Sequence, residues 1–199
     1  MITTPKAEEK KGISIFPEST PNPNSMKFIV IGQEILPHGG LDFPNIVSAA
    51  QAPLAVELFR IPDVAAVFLG TNFVTVTKRP ETDWPTLMDV AMRRIKNYLD
   101  SGGEIVSEAL LAAPVQKQAL NDQDAEVVKK IQDILDNEIR PAIARDGGDV
   151  SFEGYEDGTV TLRLRGACSS CPSSIMTLKM GIENRMKQMI PEVQEVVSI

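Results

Sequence analysis

Cys168 and Cys171 are the only cysteines in the 199-residue chain, and they stand in the spacing C-x-x-C. A thiolate is both a soft-metal ligand and a nucleophile, so this pair supports metal binding or disulfide chemistry. The stretch around it reads Gly166-Ala167-Cys168-Ser169-Ser170-Cys171-Pro172. A strand pattern runs into it and a helix pattern runs out. Proline suits the first helical position, which puts Cys171 at the N-cap and Cys168 in the loop before it. The unpaired N–H groups of the first turn and the positive helix end then face the sulfurs. Both effects favour thiolate over thiol, and both would stabilise the sulfur ligands of an anionic cluster.

Ligand counting narrows the possibilities. A [4Fe–4S] cluster takes four thiolates, and a structural tetrahedral zinc site takes four ligands. One chain offers two Cys, and its single His, His38, lies far away in sequence. A closed site therefore needs two chains, with Cys168 and Cys171 of each around a two-fold axis. Such a site is expected to be exposed at an interface and easily opened, which suits a carrier better than a permanent redox centre. Three readings stay open on the residues alone. One is a transient iron–sulfur site. A second is thiol–disulfide exchange, because C-x-x-C at a helix start is also the thioredoxin-like arrangement. Against that, Ser169-Ser170 intervene, the proline follows the second Cys, and the pair comes late, after an antiparallel hairpin. The third is a zinc staple or an incidental pair.

The elements that position the pair are legible. Val150-Ser151-Phe152 and Val160 to Arg165 alternate with period 2, putting Val160, Leu162 and Leu164 inward, and Asp157-Gly158 between them is a hairpin turn. After the cysteines, Ile175, Leu178, Ile182, Met186 and Met189 stripe a helix that Pro191 ends, and Val193 to Ile199 reads as a short strand. Upstream, Val128, Ile131, Leu135, Ile139 and Ala142 make an amphipathic stripe that Pro141 must kink or restart. A separate unit precedes these. Met26 to Ile31 is β-type, and Pro53 opens a short helix over Leu54 to Phe59. Val64 to Leu69 and Phe73 to Thr77 form a hairpin across Gly70-Thr71-Asn72. Trp84-Pro85 starts a helix, capped by Thr82 or Asp83 and closed by Gly102-Gly103. Ile61-Pro62-Asp63-Val64 and Ile190-Pro191-Glu192-Val193 repeat one local pattern at helix-to-strand junctions. The expected fold class is α+β (mixed α/β) in two small domains, the C-terminal one running helix, β-hairpin, CxxC, helix, strand. The expected boundaries are a disordered tail at 1–12, a first domain at 13–101, a flexible linker at 102–123 with room for a short helix, and a second domain at 124–199.

Composition excludes several functions. A net charge of −7 disfavours nucleic acid and anionic membrane as partners, and 5% aromatics leave little for base stacking. No apolar run reaches membrane-spanning length. The N-terminal dozen residues have no apolar h-region and no Arg-rich amphipathic pattern, so a reducing compartment is expected. Other features have plainer readings. Asp146-Gly147-Gly148-Asp149 reads as a helix cap and turn more readily than a cation site. Met176, Met180, Met186 and Met189 read as core or a dimer face. His38 reads as a solvated loop residue. Arg163 and Arg165 alternate outward beside the cysteines, where they either offset a cluster's charge or form a solvated strand face. Thr20 to Phe28 holds no catalytic constellation, and turn chemistry accounts for its Asn and Pro content.

The segment from Gly166 to Ser174, with Thr177-Leu178-Lys179 and Gly181-Ile182-Glu183, resembles the C-terminal domain of NifU and Nfu proteins. Ile139-Arg140-Pro141 and Asp146-Gly147-Gly148-Asp149-Val150 match the same domain. Thr20-Pro21-Asn22-Pro23-Asn24-Ser25-Met26-Lys27-Phe28, Pro53-Leu54-Ala55, Leu58-Phe59 and Phe73 to Lys78 resemble the separate N-terminal domain of Nfu proteins. The resemblance covers nearly the whole chain, in order. It implies an iron–sulfur scaffold or carrier, not an enzyme, that takes a [4Fe–4S] cluster from a donor and passes it to client apo-proteins. It implies Cys168 and Cys171 as the ligands, in a homodimer sharing one transient cluster. The cysteine-rich N-terminal domain of nitrogen-fixation NifU has no counterpart, so primary assembly is not expected. Localisation is expected to be the bacterial cytoplasm, or the mitochondrial matrix for a mature eukaryotic form.

Overall fold

The computed structural model describes residues 12–112, 122–169 and 172–199. The expected tail, the middle of the expected linker, and Ser170 and Cys171 lie outside the described residues. The described chain is α+β and builds two separate hydrophobic cores.

The first core lies under a five-stranded antiparallel sheet. Its strands are β1 (Ser14–Ser19), β2 (Ser25–Ile31), β3 (Leu41–Phe43), β4 (Val64–Leu69) and β5 (Phe73–Lys78), in the order β1-β2-β5-β4-β3. Helices α1 (Pro53–Phe59) and α2 (Trp84–Asp100) pack against it. Leu87, Ala91, Ile95 and Leu99 are the buried positions of α2, one stripe at helical spacing. Asp83 occupies the N-cap in extended geometry but makes no side-chain capping bond. At the other end Gly102 turns out at φ +71°, and its N–H bonds Leu99 O. Two strands were not anticipated. β1 contains Pro17, which has no N–H to donate, and it is tolerated because β1 is an edge strand. β3 is only three residues long, too short for an alternation to be read. Residues 103–112, expected to be linker, pack on this core. Val106 is buried, Leu54 N–H bonds Ile105 O, Ser107 N–H bonds Gln51 O, and a short helix α3 (Glu108–Leu111) follows.

The second core is enclosed by α4 (Asp122–Ile134), a π-helical turn (Leu135–Ile139), α5 (Arg140–Arg145), β6 (Gly148–Glu156), β7 (Thr159–Gly166), α6 (Pro172–Met189) and β8 (Glu195–Ser198). The sheet order is β6-β7-β8, antiparallel then parallel, with α6 as the crossover that a parallel neighbour requires. The wide turn comes just before Pro141, whose missing N–H breaks regular helical bonding, and Arg140 N–H reaches back to Leu135 O. One extra residue in that turn shifts the inward phase. Ile143 is therefore buried, where unbroken spacing puts Ala142, which is exposed. Asp157 at φ 46° and Gly158 at φ 81° form the hairpin turn that sets β7 against β6. Val160, Leu162 and Leu164 are buried as expected. The repeated junction is one turn used twice: Val64 N–H bonds Ile61 O at 3.1 Å and Val193 N–H bonds Ile190 O at 3.0 Å. Each turn lays a buried Ile against its core.

β7 is the strand that carries the chain to the cysteines, so its packing sets where they sit. Leu162 is fully buried at its centre. Leu162→Ala should lower unfolding stability by roughly 2–5 kcal/mol, measured by urea denaturation. A loss below about 0.5 kcal/mol would contradict this placement of the core.

Candidate metal centre

β7 ends at Gly166, where the backbone turns left-handed at φ +66°. A Cβ at that position would lie 2.8 Å from Gly147 O and 3.0 Å from Phe68 Cγ, so only glycine can turn the chain off the sheet here. Ala167 and Cys168 follow, and Cys168 is 3% exposed. Its thiol sits over Gly148 of β6, where a Cβ would approach Sγ to 2.9 Å. Helix α6 starts at Pro172, so its N-terminus follows directly on the cysteine loop as expected. Cys171 lies outside the described residues. The expectation of exposure concerned a site shared between two chains, whereas within the single chain Cys168 is buried. It packs into the second core, because the turn at Gly166 points the loop back over β6.

The backbone polar groups of the turn can be followed one by one. Gly166 N–H donates to Asp42 Oδ1 at 3.0 Å. Ala167 N–H donates to Gly147 O at 3.2 Å. Gly166 O accepts from Ser169 N–H at 3.2 Å and Ser169 Oγ at 2.9 Å. Ala167 O accepts from Asn22 Nδ2 at 3.0 Å. Asn22 and Asp42 both belong to the first module, so half of these partners come from across the chain. Thr75 Oγ1 also donates to Gly147 O at 2.7 Å, Lys27 Nζ to Arg145 O at 3.2 Å, and Arg165 Nη1 to Gly40 O at 3.4 Å. A cavity of about 300 Å³ lies beside Cys168, walled by Pro21 and Asn22 on one side and by Thr177 and Leu178 of α6 on another.

The remaining candidates divide clearly. Asp146 to Asp149 is a helix end: Gly147 N–H bonds Ala144 O, Gly147 has φ +79°, and Asp149 pairs with Arg140 at 3.6 Å. Arg163 pairs with Glu153 at 3.2 Å, and Arg165 lies 3.9 Å from the same carboxylate while it also reaches Gly40 O of the first module. Met186 is buried, while Met176 and Met180 are exposed on α6. His38 is exposed in its loop. Among the described residues, no group of three or more His, Cys, Asp or Glu converges as a metal site.

The model of the NifU-like domain family matches residues 131–197, and that of the scaffold protein Nfu/NifU N-terminal family matches residues 15–102. A human protein named NFU1 iron-sulfur cluster scaffold homolog, mitochondrial, is 45% identical over 183 residues, covering 92% of this chain and 70% of its own length. The chain belongs to the NifU/Nfu family. A Drosophila persimilis protein of the same name is 41% identical over 191 residues, covering 96% of this chain and 66% of its own length.

Asn22, Asp42 and Thr75 are the site residues that the sequence alone did not single out. Asn22 stood within a quoted motif, yet its local turn chemistry already accounted for it. Its bond to Ala167 spans 145 positions, and no local pattern signals such a contact. Asp42 has a further property. Burial pushes its carboxyl above the usual carboxylate range, and the Gly166 N–H and the Arg165 guanidinium only partly offset this. A pKa raised on assembly means that the packed state favours the protonated form. The gain is complete below the ordinary value and is lost as pH rises through the raised one. At neutral pH the buried charge is therefore a cost. Asp42→Asn keeps an acceptor for Gly166 N–H without that charge, so its melting temperature at pH 7 should match or exceed that of the native chain. A clear drop would contradict this assignment of the cause.

Proposed function

We propose that this protein is an iron–sulfur cluster carrier. Two copies hold one [4Fe–4S] cluster through Cys168 and Cys171 of each subunit and transfer it to client apo-proteins. The observation that carries this reading is the ligand count: two thiols stand at one loop, in a chain with no other cysteine. The donor set suits the cargo, since iron–sulfur clusters are held by thiolates and two chains supply four. A helix start following the loop suits an anionic cluster. Membership of the NifU/Nfu family, with relatives named as cluster scaffolds, supports the same reading.

The cluster is cargo, and the protein turns over no substrate bond. Transfer is ligand exchange. A client thiol gives up its proton, its thiolate bonds to an iron, and one Cys168 or Cys171 thiolate leaves and is protonated. Repetition of this step moves the cluster, and the subunits part. Loading from an upstream donor is the reverse. Residues 124–199 form the cluster-binding domain in this reading, and residues 13–101 form a separate N-terminal domain. The partners are a second copy, a donor and client apo-proteins, with neither nucleic acid nor membrane among them. The compartment is a reducing one, the bacterial cytoplasm or the mitochondrial matrix, and the relatives' names, which read mitochondrial, support the mitochondrial option. No described helix is long and apolar enough to cross a membrane.

Anaerobic reconstitution with iron and sulfide tests the ligands. The native chain should gain broad visible absorption, and Cys168→Ser and Cys171→Ser should each lose it while remaining folded by circular dichroism. Full retention of colour in either variant would contradict the ligand assignment. A colourless native protein that reduces a disulfide without metal would favour thiol–disulfide exchange. Stoichiometric zinc, with stability lost on chelation, would favour a structural staple.

A further inference from the structure

The first module has no chemistry of its own in the reading above, yet it reaches across to the backbone that carries Cys168. We propose that this module is the holder of the ligand segment, with Asn22 and Asp42 as positioning residues that fix the peptide leading into Cys168. The inference rests on the reading of Cys168 as a cluster ligand.

Three observations carry it. First, the two contacts bracket the approach to the cysteine. Asp42 takes the N–H of Gly166, and Asn22 gives its amide to the carbonyl of Ala167, whose carbon is bonded to the nitrogen of Cys168. With Ala167 N–H held by Gly147 O, the peptide planes on both sides of Ala167 are tied down. Second, Asn22 is itself locked before it reaches across. Its Oδ1 accepts from Asn24 N–H at 3.0 Å, and its carbonyl accepts from Thr20 Oγ1 at 3.0 Å and from Ser25 N–H at 2.9 Å. Pro21 and Pro23 fix φ on either side. The turn therefore presents its amide at little entropic cost, which is more than a strand connection requires. Third, the same turn walls the cavity beside Cys168, so it bounds the space next to the thiol as well as the loop behind it.

Holding the loop from outside the second core has a functional consequence. The strength of these two contacts sets how readily Cys168 swings out, and thus how readily an incoming thiolate displaces it. Loosening the holder should speed release without removing a ligand.

The variants separate holding from folding. Asn22→Asp keeps the Oδ1 that caps its own turn but deletes the donor to Ala167. Asp42→Ala deletes the acceptor for Gly166 N–H, and Asp42→Asn restores one. The first readout needs no metal. In the full chain carrying Cys171→Ser, iodoacetamide alkylates Cys168 alone, and Asn22→Asp and Asp42→Ala should each raise its rate about tenfold, by the loss of one buried hydrogen bond. Asp42→Asn should stay near the parent rate. Equal rates in all four proteins would overturn the proposal, as would an Asp42→Asn rate matching Asp42→Ala. The second readout uses the reconstituted chain with both cysteines. Asn22→Asp should bind the same amount of iron, change the visible circular dichroism of the cluster and lose iron faster to a chelator. Unchanged dichroism and release would overturn the proposal even though the cluster is bound. A native chain that takes up no iron would refute the carrier reading instead, and the alkylation rates would still decide the positioning role.

Discussion

At Gly166 the chain leaves the sheet in a left-handed conformation, with no room for a side chain. The arrangement around the cysteines depends on that one residue. It ends β7, folds the next residues back over β6, and buries Cys168 against the space that Gly148 leaves open. Because the turn lies outside the ladder, its N–H and C=O groups must find other partners. Ser169 and Gly147 supply some, and the first module supplies the rest. A local backbone constraint thereby becomes a reason for two separately cored modules to meet.

That meeting reconciles two demands that the proposed carrier role would make. A ligand loop must be ordered enough to present thiolates in a fixed geometry, because ordering it on binding would weaken affinity. It must also let go. Buried hydrogen bonds to a backbone turn are individually modest, each worth about 0.5–1.5 kcal/mol, so a few of them order a segment without locking it. The ion pairs nearby do less. Arg163 and Arg165 beside Glu153 are partly exposed, and solvent screens such pairs. In the proposed dimer, half of the ligand set comes from each chain, and the hold on each loop is internal to its own subunit.

Much of this was legible in the sequence where local chemistry decides it. Asp157-Gly158 allows little but a tight hairpin, and the alternation after it assigns the faces of β7. Leu87, Ala91 and Ile95 at helical spacing spell out α2, and Pro172 marks the start of α6. Where local signals were weak or distorted, the reading fell short. Pro17 disguised β1, and β3 was too short to show. The wide turn before Pro141 moved the buried position from Ala142 to Ile143. Ile105 and Val106, with too few neighbours for a pattern, pack on the first core where linker was expected. The cysteine pair itself was conspicuous from its type and spacing. The residues that contact its loop were not, because the hydrogen bonds of Asn22, Asp42 and Thr75 reach groups more than seventy residues away in sequence. The burial of Cys168 escaped notice for the same reason, since it follows from where the loop folds back.

The central claim is that this chain carries half of a ligand set and that a second copy completes it. Native mass spectrometry of the anaerobically reconstituted protein tests that most directly. The account predicts one species of two chains plus a single [4Fe–4S] cluster, alongside apo chains that carry no metal. Iron retained on a single chain, or a loaded dimer holding one cluster per chain, would contradict it.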